Sequence, residues 1–287
     1  MHFNLVGAGR LGKNIAFALT AKQQGQLGAI CNRSPLSAAL ASQQIGSGTV
    51  VSNLKELPPV ELTFITTPDD TIRRIADELA KEKIMLPGSI VVHCSGALNS
   101  NELLVLKKQG CHIASIHPLK AFRDNYIDSN AFQNCPCVVE GDDKAVALLI
   151  ALFNSLGATL VPIKAEKKAC YHAAAVFSSN YLVTLIATSI ELLTEAGISH
   201  DLAKNISMKL MHSSFTNIEQ TTDPKQALTG PLARGDVQTI EKHLVALLNP
   251  TLKALYRAAA LATLPLTELE IEKKLALQQL LTVDKIS

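Results

Sequence analysis

The sequence predicts an α/β protein of two domains, in which a doubly wound, mainly parallel sheet is followed by an all-α domain. Up to about residue 163, short apolar runs alternate with stretches of helical periodicity, which is the pattern of βαβ units. Beyond residue 164, almost every segment has helical periodicity. The length of 287 residues suits two domains of ordinary size. We therefore place the α/β domain at residues 1–164 and the all-α domain at residues 165–287.

Strands and helices alternate along the first domain. The predicted strands are residues 2–6, 27–31, 60–66, 89–94, 111–116, 137–140 and 159–163. The predicted helices are residues 11–24, 71–83, 100–109 and 142–156. In the second domain, helices are expected to break near Gly197, Pro224, Pro231, Pro250 and Pro265, because Gly and Pro interrupt helical segments.

Composition and charge argue against several classes of partner. The chain has 27 Lys and Arg against 25 Asp and Glu, with no basic block, and it lacks Trp. We therefore expect neither nucleic acid nor a membrane surface as a partner. The six cysteines show no paired C-x-x-C spacing, so no metal site is expected. Scattered thiols and the lack of a secretory signal at the start predict a cytoplasmic protein.

The stretch from residue 169 to residue 190 contains no charged residue and is long enough to cross a membrane. It also carries polar residues such as Ser178, Asn180, Thr184 and Thr188. Polar residues at this density favour a helix buried among protein partners over a membrane span.

A glycine-rich motif follows the first predicted strand and begins the first predicted helix. It is formed by Gly7, Ala8, Gly9, Arg10, Leu11 and Gly12. This G-x-G-x-x-G pattern between a strand and a helix is the dinucleotide-binding fingerprint of the Rossmann fold. The three glycines permit a tight turn, close approach of the pyrophosphate and close packing of helix on strand. The alternative is a glycine turn in another kind of α/β protein.

The residues after the second strand indicate which dinucleotide binds. They are Asn32, Arg33 and Ser34, without the acidic residue that would bind the ribose hydroxyl of NAD. A guanidinium and a hydroxyl suit a 2′-phosphate, so NADP is favoured over NAD. The alternative is a solvated Arg33 and a Ser34 that caps the next helix.

Two further strand ends supply candidate cofactor contacts, because ligands of open α/β sheets bind at the carboxyl ends of strands. The candidates are Thr66, Thr67, Pro68, Ser95 and Gly96. Asp69 or Asp70 is interpreted as a helix N-cap, and His93 as a residue packed within its strand.

Three residues are candidates for the chemistry. His117 follows another strand end, where it would bind substrate or transfer a proton, unless it only stacks against the turn at Pro118. Lys168 and His172 are four residues apart and share one helix face. Lys168 would polarise a carbonyl or protonate its oxygen, and His172 would orient substrate. The alternative is a surface lysine and a buried, hydrogen-bonded histidine.

Seven segments occur together in an order typical of one family: VGAGRLG, CNRS, TTPDD, VHCSGAL, SIHPL, YHAAAVFSSNYL and LTGPLARGD. The chain resembles proteins that join a Rossmann-like domain to a domain of unknown function and are provisionally labelled NADP oxidoreductases. That family is similar to 6-phosphogluconate dehydrogenase, pyrroline-5-carboxylate reductase and deazaflavin-dependent NADP reductases. The resemblance implies an N-terminal NADP domain and a C-terminal domain of the 6-phosphogluconate dehydrogenase type, through which such proteins often form homodimers.

The chain departs from its β-hydroxyacid dehydrogenase relatives at one position, since their lysine is followed four residues later by Asn, and Lys168 is followed by His172. The resulting hypothesis is an NADP-dependent oxidoreductase that moves a hydride to or from a small carbonyl, hydroxyl or imine substrate. The alternative is a non-catalytic NADP-binding regulatory or assembly protein.

Overall fold

Eight strands form one sheet in the first part of the chain. The structure is a computed structural model that describes residues 1–124 and 126–282. The strands are β1 (His2–Val6), β2 (Gln26–Cys31), β3 (Thr49–Val51), β4 (Leu62–Ile65), β5 (Ile90–His93), β6 (His112–Pro118), β7 (Pro136–Gly141) and β8 (Thr159–Pro162). Their spatial order is β3-β2-β1-β4-β5-β6-β7-β8.

The sheet changes direction after its sixth strand. The pairs from β3 to β6 are parallel, β7 is antiparallel to β6, and β8 is parallel to β7. The predicted doubly wound, mainly parallel sheet is confirmed. The antiparallel register places Glu140 of β7 opposite Ser115 of β6.

Helices connect these strands and form most of the described chain beyond them. In the first part they are α1 (Arg10–Ala21), α2 (Pro35–Ile45), α3 (Asp69–Lys81), α4 (Leu104–Lys107), α5 (Asp143–Ser155) and α6 (Lys168–Ser178). The remainder are α7 (Asn180–Glu195), α8 (His200–Glu219), α9 (Pro231–Arg234), α10 (Val237–Ala246), α11 (Pro250–Thr263) and α12 (Ile271–Thr282). The helix predicted at 100–109 is a 3₁₀ turn at Ser100–Leu103 followed by the short α4.

The sheet separates two apolar layers because successive strand residues point to opposite faces. Phe3, Phe64 and Phe153 pack edge to face on one side, with ring centroids 6.1 and 6.4 Å apart. The other layer includes Val91 of β5 and Ile113 of β6. Side chains two residues further along each strand lie on that same face, and these are His93 and Ser115.

Contacts divide the chain into two units, Met1–Ser178 and Ser179–Ser287. The boundary predicted from the sequence follows residue 164, whereas α6 and its residues Lys168 and His172 belong to the first unit. The described core of the second unit consists of Ile240, Leu244, Ala260, Leu264, Leu277 and Leu281.

The apolar stretch near residues 169–190 is exposed in this chain, so the prediction of a buried helix is wrong for the fold of a single copy. One helical stretch, Ala165–Glu195, is long and apolar enough to cross a membrane, with a mean hydropathy of 1.5. No residue of its most apolar window is buried within this chain. Tyr181, Val183 and Leu185 are among its exposed side chains. The sequence shows that this surface is apolar, and the fold of one chain does not cover it.

Candidate active site

The glycine bend after β1 is fixed by three close approaches. Gly7 has a φ of +90°, which favours glycine, and its N–H donates to the Cys31 carbonyl at 2.8 Å. The Thr66 hydroxyl donates to the Gly7 carbonyl. A Cβ at Gly12 would overlap both that carbonyl and the Thr66 hydroxyl. Thr66, predicted as a cofactor contact, therefore also supports the bend from within the protein.

One side of the bend is open. A Cβ at Gly9 would meet no heavy atom within 4 Å, and the N-terminus of α1 has neither a side-chain cap nor an acidic residue in its first turn. The buried Thr67 hydroxyl has no hydrogen-bond partner among residues 1–124 and 126–282, and its methyl group lies beside Gly7. Free amides at a helix N-terminus with an open glycine and an unpaired hydroxyl fit the pyrophosphate of a dinucleotide.

Asn32 links the bend to the end of β2. Its amide oxygen accepts from the Ala8 N–H at 2.6 Å, and its amide nitrogen donates to the Ser37 hydroxyl at 3.1 Å. Both polar atoms of the Asn32 side chain, a predicted cofactor contact, are therefore hydrogen-bonded within the protein. Asn32 fixes the spacing between the glycine bend and the turn that carries Arg33.

Arg33 and Ser34 lie exposed at the start of α2. Ser34 occupies the N-cap position, but its side chain makes no capping hydrogen bond, so the alternative of a capping serine is wrong. No described residue forms an ion pair with Arg33. By contrast, Arg10 of the glycine motif pairs with Asp124 at 2.5 Å, and Leu11 packs against the apolar core.

The strand ends of β4 and β5 meet at Ser95. The Ser95 hydroxyl donates to Asp69 at 2.7 Å and accepts from the N–H groups of Ala97 and Leu98 at 3.2 and 2.9 Å. Pro68 occupies the N-cap position of α3, so the N-cap role predicted for Asp69 or Asp70 is wrong. Ser95, a predicted cofactor contact, is buried with its hydroxyl already engaged.

His93 is packed within β5, as predicted, and its hydrogen bonds define its protonation. Nε2 lies 3.0 Å from the Asn99 carbonyl, and Nδ1 accepts from the Ser95 N–H at 3.2 Å. The ring is fully buried, and burial lowers its pKa. His93 is therefore a neutral imidazole that supports the turn after β5.

A buried carboxylate holds Lys168. Glu140 Oε1 accepts from the Ser100 N–H at 2.8 Å and the Ser115 hydroxyl at 2.5 Å, while Oε2 accepts from the Ser100 hydroxyl at 2.8 Å. The Lys168 Nζ donates to Ser115 and lies 3.8 Å from Glu140. Both charged side chains are only 1% exposed. The sequence alternative of a surface lysine is therefore wrong.

Two histidines and a tyrosine meet beside Gly96. Nδ1 of His117 lies 2.7 Å from the Tyr171 hydroxyl, and the rings of His117 and His172 pack edge to face with centroids 5.8 Å apart. A Cβ at Gly96 would lie 2.9 Å from His117 and would overlap the His172 ring. Gly96 therefore leaves room for both imidazoles beside the backbone after β5, and its contact with the cofactor stays a prediction.

Helix α6 runs alongside β6 in the same direction. Lys168 contacts Ser115, and one helical turn later Tyr171 and His172 contact His117. The four residues from Lys168 to His172 rise about 6 Å along a helix. The two residues from Ser115 to His117 rise about 6.6 Å along a strand and point to one face. The similar spacing lets one helix face meet one strand face at two levels.

Burial and mutual repulsion set the protonation of this cluster. Burial, followed by the Lys168 and His172 charges, lowers the pKa of His117 to about 4. Burial lowers the pKa of Lys168 to about 8 although Glu140 opposes that shift. Burial raises the pKa of Tyr171 to about 12. Near neutral pH the site therefore offers a neutral imidazole at His117 and a protonated phenol at Tyr171 beside a buried ammonium.

Comparisons with known proteins agree with this architecture. A Rossmann-like domain matches residues 1–118, and a domain of unknown function, DUF2520, matches residues 135–263. The Rossmann-like match precedes the DUF2520 match along the chain. This is the combination that the sequence motifs resembled. A search of curated proteins gave no match.

Solved structures resemble this chain over most of its length. A Bacteroides fragilis protein provisionally named an NADP oxidoreductase is 24% identical, with a TM-score of 0.73 over 91% of this chain and 96% of its own. Protein TM1727 from Thermotoga maritima is 26% identical, with a TM-score of 0.70 over 93% and 98%. Plasmodium falciparum pyrroline carboxylate reductase with NADP bound is 13% identical, with a TM-score of 0.57 over 98% of both chains. These similarities confirm the α/β fold.

The structure brings together the three predicted chemical residues, His117, Lys168 and His172, within the first unit. It adds Glu140 and Tyr171, which are not among the residues predicted from the sequence. Tyr171 is the first residue of the recognised segment YHAAAVFSSNYL and directly precedes His172, so its position was a usable signal. Glu140 gave none, because a glutamate near a strand end is usually solvated.

Proposed function

We propose that this protein is an NADP-dependent oxidoreductase that transfers a hydride to or from a small carbonyl, hydroxyl or imine substrate. The observation that carries the proposal is the open glycine bend, where Gly9 leaves room beside an uncapped helix N-terminus. The unpaired Thr67 hydroxyl adds a polar group with no protein partner among the described residues. A buried, preorganised polar cluster in the same unit supports chemistry over storage of a nucleotide.

The choice of NADP over NAD depends on Arg33 and Ser34. Both are exposed at the start of α2, and the Ser34 hydroxyl does not cap that helix. A guanidinium and a free hydroxyl at a helix N-terminus suit a dianionic 2′-phosphate. Among the structural neighbours, the Plasmodium reductase has NADP bound, whereas a prephenate dehydrogenase from Aquifex aeolicus is complexed with NAD+. The fold itself therefore accommodates either cofactor.

Bound NADP would supply or accept the hydride, and the chain's own residues would handle substrate and proton. His117 and His172 present their rings next to Gly96, and the Tyr171 hydroxyl lies within hydrogen-bond distance of His117. We assign substrate contact and proton transfer to His117 and His172, with Tyr171 as their hydroxyl partner. Lys168 is buried beneath them, so we assign it an electrostatic and structural role in place of direct protonation.

Nucleotide titration followed by a substrate screen tests the proposal. NADPH, NADP, NADH and NAD are titrated against the protein by thermal shift, and NADPH is expected to raise the Tm most. NADPH oxidation at 340 nm is then followed with small aldehydes, ketones and cyclic imines. Protein that binds no pyridine nucleotide would refute the proposal. Tight NADPH binding without any turnover would favour the regulatory alternative.

We also propose that the exposed apolar surface of the second unit binds a second copy of the chain in the cytoplasm. Helices α7 and α8 pack on each other and expose many large apolar side chains: Tyr181, Val183, Leu185, Leu202, Ile206, Met208, Leu210, Phe215 and Ile218. Monomers rarely expose large contiguous apolar patches, and these side chains all lie on two neighbouring helices. The Ser189 and Ser207 hydroxyls bond to each other at 2.8 Å and link the two helices.

Sedimentation of wild type and two variants tests the second copy. Val183 and Val245 are 67% and 71% exposed, on α7 and α10 respectively. Val183→Glu is expected to shift a dimer to monomer, whereas Val245→Glu is expected to leave it intact. A wild-type monomer that floats with lipid vesicles would instead favour membrane association.

A further inference from the structure

The strongest feature that the proposed function leaves unused is the buried carboxylate of Glu140. Its side chain is 1% exposed and accepts three hydrogen bonds from Ser100 and Ser115. It also lies 3.8 Å from the Lys168 ammonium. Burying an ion pair is costly unless hydrogen bonds compensate its charges, and the Glu140 oxygens have three such bonds while Lys168 donates to Ser115. Such an arrangement is expected where a precise position matters.

Its location shows what it positions. Glu140 is on β7, Ser115 faces it from β6, and Lys168 is the first residue of α6. The first turn of α6 is therefore held to the sheet by charge, and the next turn carries Tyr171 and His172 to His117. We propose that Glu140 is the positioning residue of this site, because it holds Lys168 at Ser115 and thereby fixes Tyr171 and His172 against His117 and Gly96.

If Glu140 holds Lys168 in place, its loss changes the pKa of His117, which a purely structural role in packing would not predict. The charged or titratable groups that face His117 are Lys168, His172, Asp69 and Tyr171. Lys168 is one of the groups that hold the pKa of His117 near 4, below the usual 6.5. If Glu140 is lost, the unpaired ammonium is expected to move toward water or give up its proton. Either change weakens its repulsion of an imidazolium at His117.

The test follows the His117 ring by long-range ¹H–¹⁵N NMR in ¹⁵N-labelled full-length protein, with His117→Gln used for assignment. Glu140→Gln and Lys168→Met are each expected to raise the His117 pKa from about 4 toward 6.5. Hydrogen exchange in the first two turns of α6 is expected to become at least tenfold faster in Glu140→Gln. The proposal is overturned if both readouts in Glu140→Gln match those of wild type.

The matched control is Asp142→Asn, the same carboxylate-to-amide change two residues away. Asp142 pairs with Lys107 at 2.5 Å and accepts from the Ile113 N–H at 3.0 Å, away from the cluster. It is expected to leave the His117 titration unchanged. A His117 shift of equal size in this control would also overturn the proposal, since it would reflect general loosening of β7.

A second pair of variants keeps the test decisive if Glu140→Gln folds poorly. Lys168→Met leaves Glu140 with its three neutral donors, and the double variant Glu140→Gln, Lys168→Met removes both charges. The double variant is expected to have a higher Tm than Glu140→Gln alone. An equally low Tm would show that Glu140 acts through Ser100 and Ser115 and not through Lys168, against the proposal.

The catalytic meaning of this positioning rests on the proposed function, but the NMR and exchange readouts do not. Titration of NADPH into the same samples separates the two. Protein that ignores NADPH yet shows the expected His117 shifts would refute the proposed function and support the positioning role of Glu140. NADPH binding with an unchanged His117 pKa in the variants would support the proposed function and refute the positioning role of Glu140.

Discussion

Substitution of Gly9 by alanine separates cofactor binding from folding. Gly9 has a φ of −74° and a ψ of −163°, a conformation that alanine adopts, and its added Cβ would meet no heavy atom within 4 Å. Restricting the unfolded chain at a compatible position stabilises a protein by about 0.4–1 kcal/mol. Gly9→Ala is therefore expected to unfold at an equal or slightly higher urea concentration than wild type.

The same methyl group would occupy the space that a pyrophosphate needs. Loss of one hydrogen bond to a charged group costs about 1.5–3 kcal/mol, which weakens binding about 10- to 150-fold. NADPH fluorescence titration measures the affinity, and urea unfolding of the same samples measures the stability. Gly9→Ala should thus lose affinity without losing stability.

Two glycine variants give the opposite patterns. A Cβ at Gly12 would overlap protein atoms, so Gly12→Ala is expected to lose affinity and also about 1–3 kcal/mol of stability. Gly46 ends α2 with a φ of +78°, so Gly46→Ala is expected to lose about 1 kcal/mol with unchanged affinity. Wild-type NADPH affinity in Gly9→Ala, or instability equal to that of Gly12→Ala, would refute the reasoning.

Three further predictions follow from the same geometry. Arg33→Ala is expected to weaken NADPH binding about 10- to 150-fold and to leave NADH binding unchanged by fluorescence titration; equal losses for both would argue against a 2′-phosphate contact. Gly96→Ala overlaps His172 and is expected to lower stability by about 1–3 kcal/mol in urea, so a stability equal to wild type would contradict the close packing of the imidazoles. The pKa of Lys168 is lowered from 10.5 to about 8. Between about pH 8 and pH 10.5 the unfolded chain therefore holds a proton on this lysine that the folded chain has lost. In that range the lysine makes the free energy of unfolding rise with pH. That rise, of at most about 3 kcal/mol, is measured as the difference between wild type and Lys168→Met, and a difference independent of pH would contradict the burial of an ionisable lysine.

The sequence predicted the glycine bend and most strands because both depend on local signals. The motif from Gly7 to Gly12 predicts a tight turn between a strand and a helix, and apolar runs such as 62–65 mark buried strands. The segment that forms α2 and β3 was missed. Residues 35–51 are rich in Ala, Ser and Gln and have little apolar periodicity, so tertiary contacts decide their structure.

The site was predicted less completely because its key contacts are non-local. The separation of four residues placed Lys168 and His172 on one helix face, but only the antiparallel register of β7 brings Glu140 to Ser115. Because this register places Glu140 beside Ser115, Lys168 is buried against them, although the charges around it in the sequence suggest an exposed lysine. The apolar stretch near residues 169–190 was misjudged for a related reason, since hydrophobicity shows that a surface needs a cover and does not show which molecule provides it.

The parallel course of α6 and β6 makes this part of the chain sensitive to length. Each helical residue turns the chain by about 100°, so one residue inserted between Lys168 and Tyr171 would rotate the phenol away from its imidazole while leaving the lysine in place. One residue inserted between Ser115 and His117 would send the imidazole to the far face of the sheet. Neighbouring side chains can adjust to a substitution in this region. An insertion in either segment instead breaks one of the two contacts, which are Lys168 with Ser115 and Tyr171 with His117.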